Sequence, residues 1–341
     1  MLSIFAAPCA LTEVPSLPEP TWNLELLAEN ITFSRVPEAH ANPISAVTRH
    51  CAVFGHPIKH SASPAMQNAG IAELGLDWRY LACEVRPEEL RAAIAGAKAM
   101  RFLGLNLTVP HKLLAVEMMD VLDTSAQQWG AVNTVCFEAK DAHGHWRPLA
   151  EIAAEIPGEI RTHGFNTDAD AITRSLREDL HVEPRGARVL LLGAGGAGRT
   201  AALKLASDGA QELFLVNRTA SKAEEVAVEI RQRFPTVKVT VGYPASVVDL
   251  ILNATSLGLK SGDGSPLDER QFALSKAGGV YEMIYRPAET PLLKAAKAAG
   301  CRTANGLGML LYQGAKALEI WSGRSAPLDA MRRALEMNVY G

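Results

Sequence analysis

The chain has 341 residues, too many for one compact core and suited to about two domains of roughly 100–200 residues each. Apolar residues make up 48%, charged residues 21%, and the net charge is −3 with the basic residues scattered. That balance asks for neither nucleic acid nor an anionic membrane as a partner. Five cysteines lie far apart with no metal-ligand spacing, and no histidine pair sits in a metal motif, so free thiols in a reducing compartment and no metal site are expected. No apolar run reaches the roughly 18 residues of a membrane span, and the apolar start lacks the basic flank of a secretory signal. A cytoplasmic location follows as the default; a small-molecule partner and a monomeric or homodimeric state are expectations beside it, not consequences of composition.

Residues 1–49 read as a leader. Pro8, Pro15, Pro18 and Pro20 break any early element, and Trp22 to Glu29 has room for one short helix. From residue 50 strands and helices alternate. Cys51 to Phe54 reads as a strand. Ser63 to Leu74 reads as a helix, with Ser63 as its N-cap and Pro64 at the first helical position. Tyr80 to Val85 is a second strand, Pro87 to Ala99 a helix with Glu88 and Glu89 in its first turn, and Phe102 to Leu107 a third strand. The repeated β-α order favours a largely parallel sheet. Val132 to Phe137 is a later strand. Residues 138–163 look like a polar insertion with a helical piece around Leu149 to Ile156, and Ala169 to Leu180 is a helix leading to a second domain.

Arg188 to Leu192 is a buried-strand run, followed directly by Gly193-Ala-Gly-Gly-Ala-Gly198 and then by the helical composition of Arg199 to Ser207. Strand, GxGxxG and helix together meet the context test for a dinucleotide fingerprint, which the glycines alone would not. Gly193 permits the tight turn, Gly195 lets backbone approach a pyrophosphate, and Gly198 allows close helix–strand packing, with Ala194, Gly196 and Ala197 completing the cradle. After the next strand, Leu213 to Val216, an NAD site would place a carboxylate for the ribose hydroxyl. Here the chain reads Asn217-Arg218-Thr219 with Lys222 behind. That set suits a 2′-phosphate and favours NADP.

The first half carries polar clusters at strand ends, where open sheets bind ligands. His60-Ser-Ala-Ser63 offers two hydroxyls for a carboxylate, although capping alone would explain Ser63. Asn106-Leu-Thr-Val-Pro-His-Lys112, Asn133-Thr134 and Asn166-Thr-Asp168 are the others. Any one of them is more often a turn or a cap. Four together are harder to dismiss.

In order along the chain, these motifs resemble the shikimate/quinate dehydrogenase family. The resemblance rests on Gly55-His-Pro-Ile-Lys-His-Ser-Ala-Ser-Pro64, the Asn106 and Asn166 motifs, Gly130-Ala-Val-Asn-Thr134, Gly193 to Ala197 and Asn217 to Thr219. It continues through Asn253-Ala-Thr255, Tyr281-Glu-Met-Ile-Tyr285, Thr290-Pro-Leu-Leu293 and Gly306 to Gln313. The resemblance implies an α/β fold with an N-terminal α/β substrate-binding domain (50–170) and a Rossmann-type, doubly wound parallel-sheet NADP-binding domain (171–305). It also implies a C-terminal segment (306–341) that returns to the first domain.

The activity implied is reversible, NADP-linked reduction of 3-dehydroshikimate to shikimate, in the route to chorismate and the aromatic amino acids. Lys112 would be the acid/base group, paired with Asp168, and Ser61 and Ser63 would hold the carboxylate. Asn106, Thr108, Asn133, Tyr285 and Gln313 would frame the ring. Asn217, Arg218, Thr219 and Lys222 would read the adenosine phosphate, while Asn253, Thr255, Met283 and Gly306 would line the nicotinamide end. Three departures stand out: Gln67-Asn68 where the family often has His-Asn, Glu282 for the more usual Asp, and a longer stretch between Asn133 and Asp168 that would alter access if it covered the cleft. The competing readings are an enzyme acting on quinate with NAD, which Arg218 opposes, and a non-catalytic metabolite sensor on the same fold, which has no need of the Lys112–Asp168 pair.

Overall fold

Apolar runs flanked by turn residues become strands, and the helices between them bury one face each. The computed structural model describes residues 43–152, 158–260 and 262–341. The helix expected at 22–29 lies outside them. In chain order the first lobe runs β1 (Arg49–Gly55), α1 (Ser63–Glu73), β2 (Trp78–Glu84), α2 (Leu90–Ala99) and β3 (Gly104–Leu107). It continues with α3 (His111–Leu114), β4 (Val121–Leu122), α4 (Thr124–Trp129), β5 (Thr134–Lys140), β6 (Trp146–Pro148), β7 (Ile160–Phe165) and α5 (Asp168–Glu178).

The sheet of this lobe has the order β2-β1-β3-β5-β7-β4, with β6 paired to β5. It is mixed rather than largely parallel. β5 runs antiparallel to β3, β6 and β7, while β1 pairs in parallel with β2 and β3. The sequence order hid this because α3, β4 and α4 stand between β3 and β5 as a crossover would, yet the chain re-enters in the opposite sense. The stretch expected as a polar insertion at 138–163 is partly strand. Its two ends are strand: Glu138 pairs with Arg161 and Ala139 with Ile160 in the β5–β7 ladder. Its expected helical piece is a short 3-10 turn at Leu149–Glu151, beyond which 153–157 fall outside the described residues. Thr134, at the start of β5, pairs with Asn106 and with Phe165. The chain between β5 and β7, the 141–159 excursion, therefore leaves the sheet at the end opposite the Asn106 and Asp168 motifs, and none of the described residues of 141–152 and 158–159 lines the cleft.

The second lobe contains β8 (Arg188–Leu192), α6 (Gly196–Ser207), β9 (Glu212–Val216), α7 (Ala220–Arg233), β10 (Lys238–Val241) and β11 (Val248–Asn253). β12 (Ala277–Glu282), α8 (Pro291–Ala298) and β13 (Arg302–Asn305) complete it. All its strands are parallel, in the order β10-β9-β8-β11-β12-β13. This is the doubly wound pattern that reverses direction between β8 and β11 and opens a crevice at the strand ends there. Both faces of the sheet are buried, by Leu191, Leu203 and Ile230 on one side and Leu190, Phe272 and Leu292 on the other.

The chain then returns. Leu311, Leu318 and Trp321 of α9 (Leu307–Ser322) and Met331 and Leu335 of α10 (Leu328–Tyr340) are part of the first lobe's core. The Trp321 indole N–H donates to the Val135 carbonyl at 3.0 Å, and its ring lies so close over β3 that a Cβ at Gly104 would collide with it. No described helix is long and apolar enough to cross a membrane.

Candidate active site

Lys112 stands on α3, one turn beyond the end of β3, and its backbone is held from both sides. The Val132 amide donates to its carbonyl at 2.8 Å. The neighbouring His111 amide donates to Thr108 O at 2.8 Å, and the buried His111 ring bonds the Val85 carbonyl through Nε2 at 2.9 Å. Burial pulls the His111 imidazole below its ordinary pKa, so it serves here as a neutral N–H donor.

Asp168 opens α5. Its amide and that of Ala169 donate to Asn166 Oδ1 at 3.1 and 3.2 Å, which caps the helix and sets the carboxylate at its positive end. Lys112 Nζ then donates to Asp168 Oδ2 at 2.6 Å, with the lysine side chain 32% exposed and the aspartate 12%. A half-open ammonium held this close to a nearly buried carboxylate has its direction fixed, unlike that of an exposed surface ion pair.

The pair lies on the wall of a cavity of about 380 Å³ between the lobes. From the first lobe Ser61, Ser63, Asn106, Thr108, Lys112 and Asp168 line it; Ala197, Met283, Tyr285 and Gly306 come from the second lobe and Gln313 from α9. His60, Ile58, Met309 and Leu310 also line it and carried no signal in sequence beyond their motifs. A second hollow of about 340 Å³ opens on the other side of the pair, where Val109, Pro110 and Leu113 face Ala197 and Thr200.

Ser63 is not the N-cap of α1. Ala62 holds that position without a side-chain bond, Ser63 begins the helix and Pro64 follows in its first turn. The serine hydroxyl is thus spared from capping and lines the cavity.

Beneath the floor lies a buried polar network. Tyr80 OH donates to Asn106 Oδ1 at 2.7 Å, and Asn106 Nδ2 donates to Thr134 Oγ1 at 3.1 Å. The Thr167 amide donates to Asn133 Oδ1 at 2.7 Å, and Asn133 Nδ2 donates to Thr167 Oγ1 and Gln313 Oε1 at 3.0 and 3.4 Å. Asn133 therefore does not line the cavity. It aims Gln313, which does. Tyr80 belongs to this network although no motif reading singled it out, and Thr167 joins it from the middle of the Asn166-Thr-Asp168 motif.

On the second lobe the crevice is shaped for a dinucleotide. Gly193 turns with φ +102°, and a Cβ on Gly198 would collide with the Gly193 carbonyl, so helix α6 packs against the turn at glycine distance. Space above Gly195 and Gly196 is open, and α6 begins at Gly196, three residues earlier than composition indicated. Its first amides thus point at any phosphate placed there.

Asn217 accepts from the Ala194 amide at 3.0 Å and donates to Thr219 O at 2.8 Å, so it braces the loop. Arg218, Thr219 and Lys222 are exposed, and neither cation makes an ion pair among the described residues. At the other end of the crevice Asn253 is fully buried with its amide consumed. It accepts from Thr255 N and Oγ1 at 3.0 and 2.8 Å and donates to both Glu282 oxygens at 2.9 Å. Asn253 thus holds the turn that carries Thr255. A Cβ on Gly306 would collide with the Met283 carbonyl, so these two cleft segments meet backbone to backbone. Burial pushes the Tyr285 hydroxyl above its ordinary pKa and keeps it a neutral hydrogen-bonding group. No cluster of His, Cys, Asp and Glu suited to a metal occurs among the described residues.

Comparison with known proteins gives this geometry a family. The model of the shikimate dehydrogenase substrate binding domain matches residues 53–135. That of shikimate / quinate 5-dehydrogenase matches 176–257, and that of the shikimate 5′-dehydrogenase C-terminal domain matches 306–336. The shikimate dehydrogenase (NADP(+)) of Methanopyrus kandleri is 38% identical over 299 residues, covering 86% of this chain and 96% of that protein. The shikimate 5-dehydrogenase of Thermus thermophilus, solved with NADP(H) and shikimate, superposes with a TM-score of 0.70 at 33% identity over 85% of this chain and 99% of that one. The ligand-free 5-ketofructose reductase of a Gluconobacter species, strain CHM43, gives a TM-score of 0.71 at 34% identity over 86% and 99%. With motifs, fold and relatives in agreement over most of its length, the chain belongs to the shikimate dehydrogenase family.

Proposed function

We propose that this protein is an NADP-dependent shikimate dehydrogenase that interconverts 3-dehydroshikimate and shikimate. The observation that carries the reading is the Lys112–Asp168 bond of 2.6 Å on the wall of a cavity whose opposite side belongs to a dinucleotide lobe. Gly195, Gly196 and the α6 N-terminus would hold the pyrophosphate, Arg218, Thr219 and Lys222 the 2′-phosphate, and Thr255, Met283 and Gly306 the nicotinamide end. The open space over the glycines and the unpaired cations fit such a group. NADPH, when bound, supplies the hydride for the ring carbonyl.

The chain's own residues do the rest. Ser61 and Ser63 donate to the substrate carboxylate and fix which ring edge meets the lysine. Asn106 and Gln313, aimed by Tyr80, Thr134 and Asn133, take the ring hydroxyls. Lys112 Nζ holds a proton against the carbonyl oxygen, stabilises the charge developing there and gives the proton up. In the reverse direction it receives that proton. Asp168 keeps the ammonium pointed into the cavity and offers its second oxygen to a hydroxyl.

The test is reduced-nicotinamide absorbance with purified protein, shikimate and NADP at mildly alkaline pH, beside arms with quinate and with NAD. A steady rise with shikimate and NADP is expected. Lys112→Ala should lose on the order of 100- to 10,000-fold in kcat and still bind shikimate. An unchanged kcat in that variant would remove Lys112 from the chemistry, and a preference for quinate with NAD would overturn the substrate and cofactor assignment.

A further inference from the structure

Away from the Lys112–Asp168 pair, one buried carboxyl gathers polar donors from three separate segments. Glu282 ends β12, is fully buried and makes no ion pair among the described residues. Asn253 Nδ2, at the end of β11, donates to both its oxygens at 2.9 Å. The Ile284 amide donates to Oε1 at 3.2 Å, and the Thr290 hydroxyl donates to Oε2 at 3.2 Å. Thr290 is in turn the N-cap of α8, accepting from the Leu293 amide at 3.3 Å.

These bonds tie together the two loops on the dinucleotide side of the cleft. Through Asn253, whose carbonyl oxygen accepts from Thr255 N and Oγ1, the carboxyl sets the turn that follows β11. Through Ile284 and Thr290 it sets the 283–290 loop, which carries Met283 and Tyr285 into the cavity. Only a group with acceptor sites on both oxygens can satisfy all the donors at once. If Glu282 held only the fold, its loss would be felt in stability alone. It stands one residue from Met283 and three from Tyr285, with every bond directed at the segments that bear on the reacting centre.

We propose that Glu282 is a positioning residue for hydride transfer, touching neither substrate nor cofactor and acting through Asn253 and the 283–290 loop. This rests on the dehydrogenase reading above. Glu282→Gln keeps the shape but turns one acceptor into a donor facing the Asn253 amide or the Thr290 hydroxyl. Misplacement of the nicotinamide side then costs rate more than affinity, because the adenosine phosphate and the substrate carboxylate keep their own anchors.

The experiment is steady-state kinetics on the full chain with calorimetric binding of NADP and shikimate. Glu282→Gln is expected to lower kcat on the order of 10- to 100-fold, with both dissociation constants within about threefold and a larger primary deuterium isotope effect on kcat. Glu282→Asp, which keeps both acceptor oxygens, is expected to recover most of the rate. A kcat within about twofold of the parent, or a loss carried by cofactor affinity with kcat unchanged, overturns the proposal. If the parent protein turns over no shikimate, that earlier reading fails by itself. Amide exchange then decides the positioning role: Glu282→Gln must lose protection at 253–258 and 283–290 while β8 and β9 keep theirs, and unchanged protection in those loops overturns it.

Discussion

The carboxyl of Glu282 has lost its water without gaining a cation, and burial pushes it up to about 7 from an ordinary 4.5, against the pull of its hydrogen-bond donors. Between those two values the folded chain keeps a proton that the unfolded chain has released. The stability this contributes is therefore fully present below about pH 4.5 and falls away as pH rises through about 7, by roughly 3 kcal/mol. In Glu282→Gln that decline should vanish while every other titration remains. Urea midpoints at about pH 5 and about pH 8 for both proteins measure the difference. Equal declines in the two would mean that the carboxyl ionises normally. The same scale shows how far residue types can be read from sequence. Lys112 and Asp168 are polar residues in recognisable motifs, and the structure joins them. Asn133 and Asn253 were legible as important but not as buried, because an amide that lines a pocket and one that props a neighbour look alike until their partners are seen.

At the level of elements, the β5–β7 region separates what the site needs from what the sheet carries. Its paired ends hold Thr134 and Phe165 beside the cavity floor, whereas β6 and the 3-10 turn lie at the far end of the sheet. Ala139 already pairs with Ile160, so a two-residue hairpin turn can join these two residues. Deleting the excursion should leave kcat/KM within about twofold, since none of its described residues lines the cavity. It should also lower thermal stability, because Leu149 is fully buried and its carbonyl accepts from Arg49; losing such a side chain costs about 2–5 kcal/mol. Kinetics and a melting curve on the shortened chain test both halves, and a large rise in KM would mean that the excursion acts on the cleft after all. The polar composition of 138–163 suited an insertion. Its strand pairing depended on β5 meeting β7, a contact between residues far apart that local composition does not record.

Across the whole molecule the described residues enter the dinucleotide lobe once and return once, and α10 fastens the return. Tyr340 OH donates to the Tyr285 carbonyl at 3.0 Å and accepts from Asn305 Nδ2 at 2.8 Å, while Arg286 donates to the Asn338 carbonyl at 2.9 Å. α10 packs in the first lobe's core through Met331 and Leu335, so its end links that lobe to the loops bearing Tyr285 and Gly306. Tyr340→Phe removes two partly exposed bonds and should reduce kcat/KM about two- to tenfold, chiefly through substrate KM. An unchanged KM would show that packing alone holds the return.

Local sequence was enough for the start of the second lobe. The β8 run, the glycine turn, α6 and β9 follow there in an order that parallel pairing reproduces, and Gly193 and Gly198 have no alternative at their backbone distances. The antiparallel sense of β5, the freeing of the Ser63 hydroxyl from the α1 cap, and the burial of Asn133, Asn253 and Glu282 were decided only by tertiary structure. The physical reason is the same for each. Helix and strand tendencies are set by neighbours in sequence, but the direction of a strand, the freedom of a hydroxyl and the acidity of a carboxyl are set by the groups that folding brings against them.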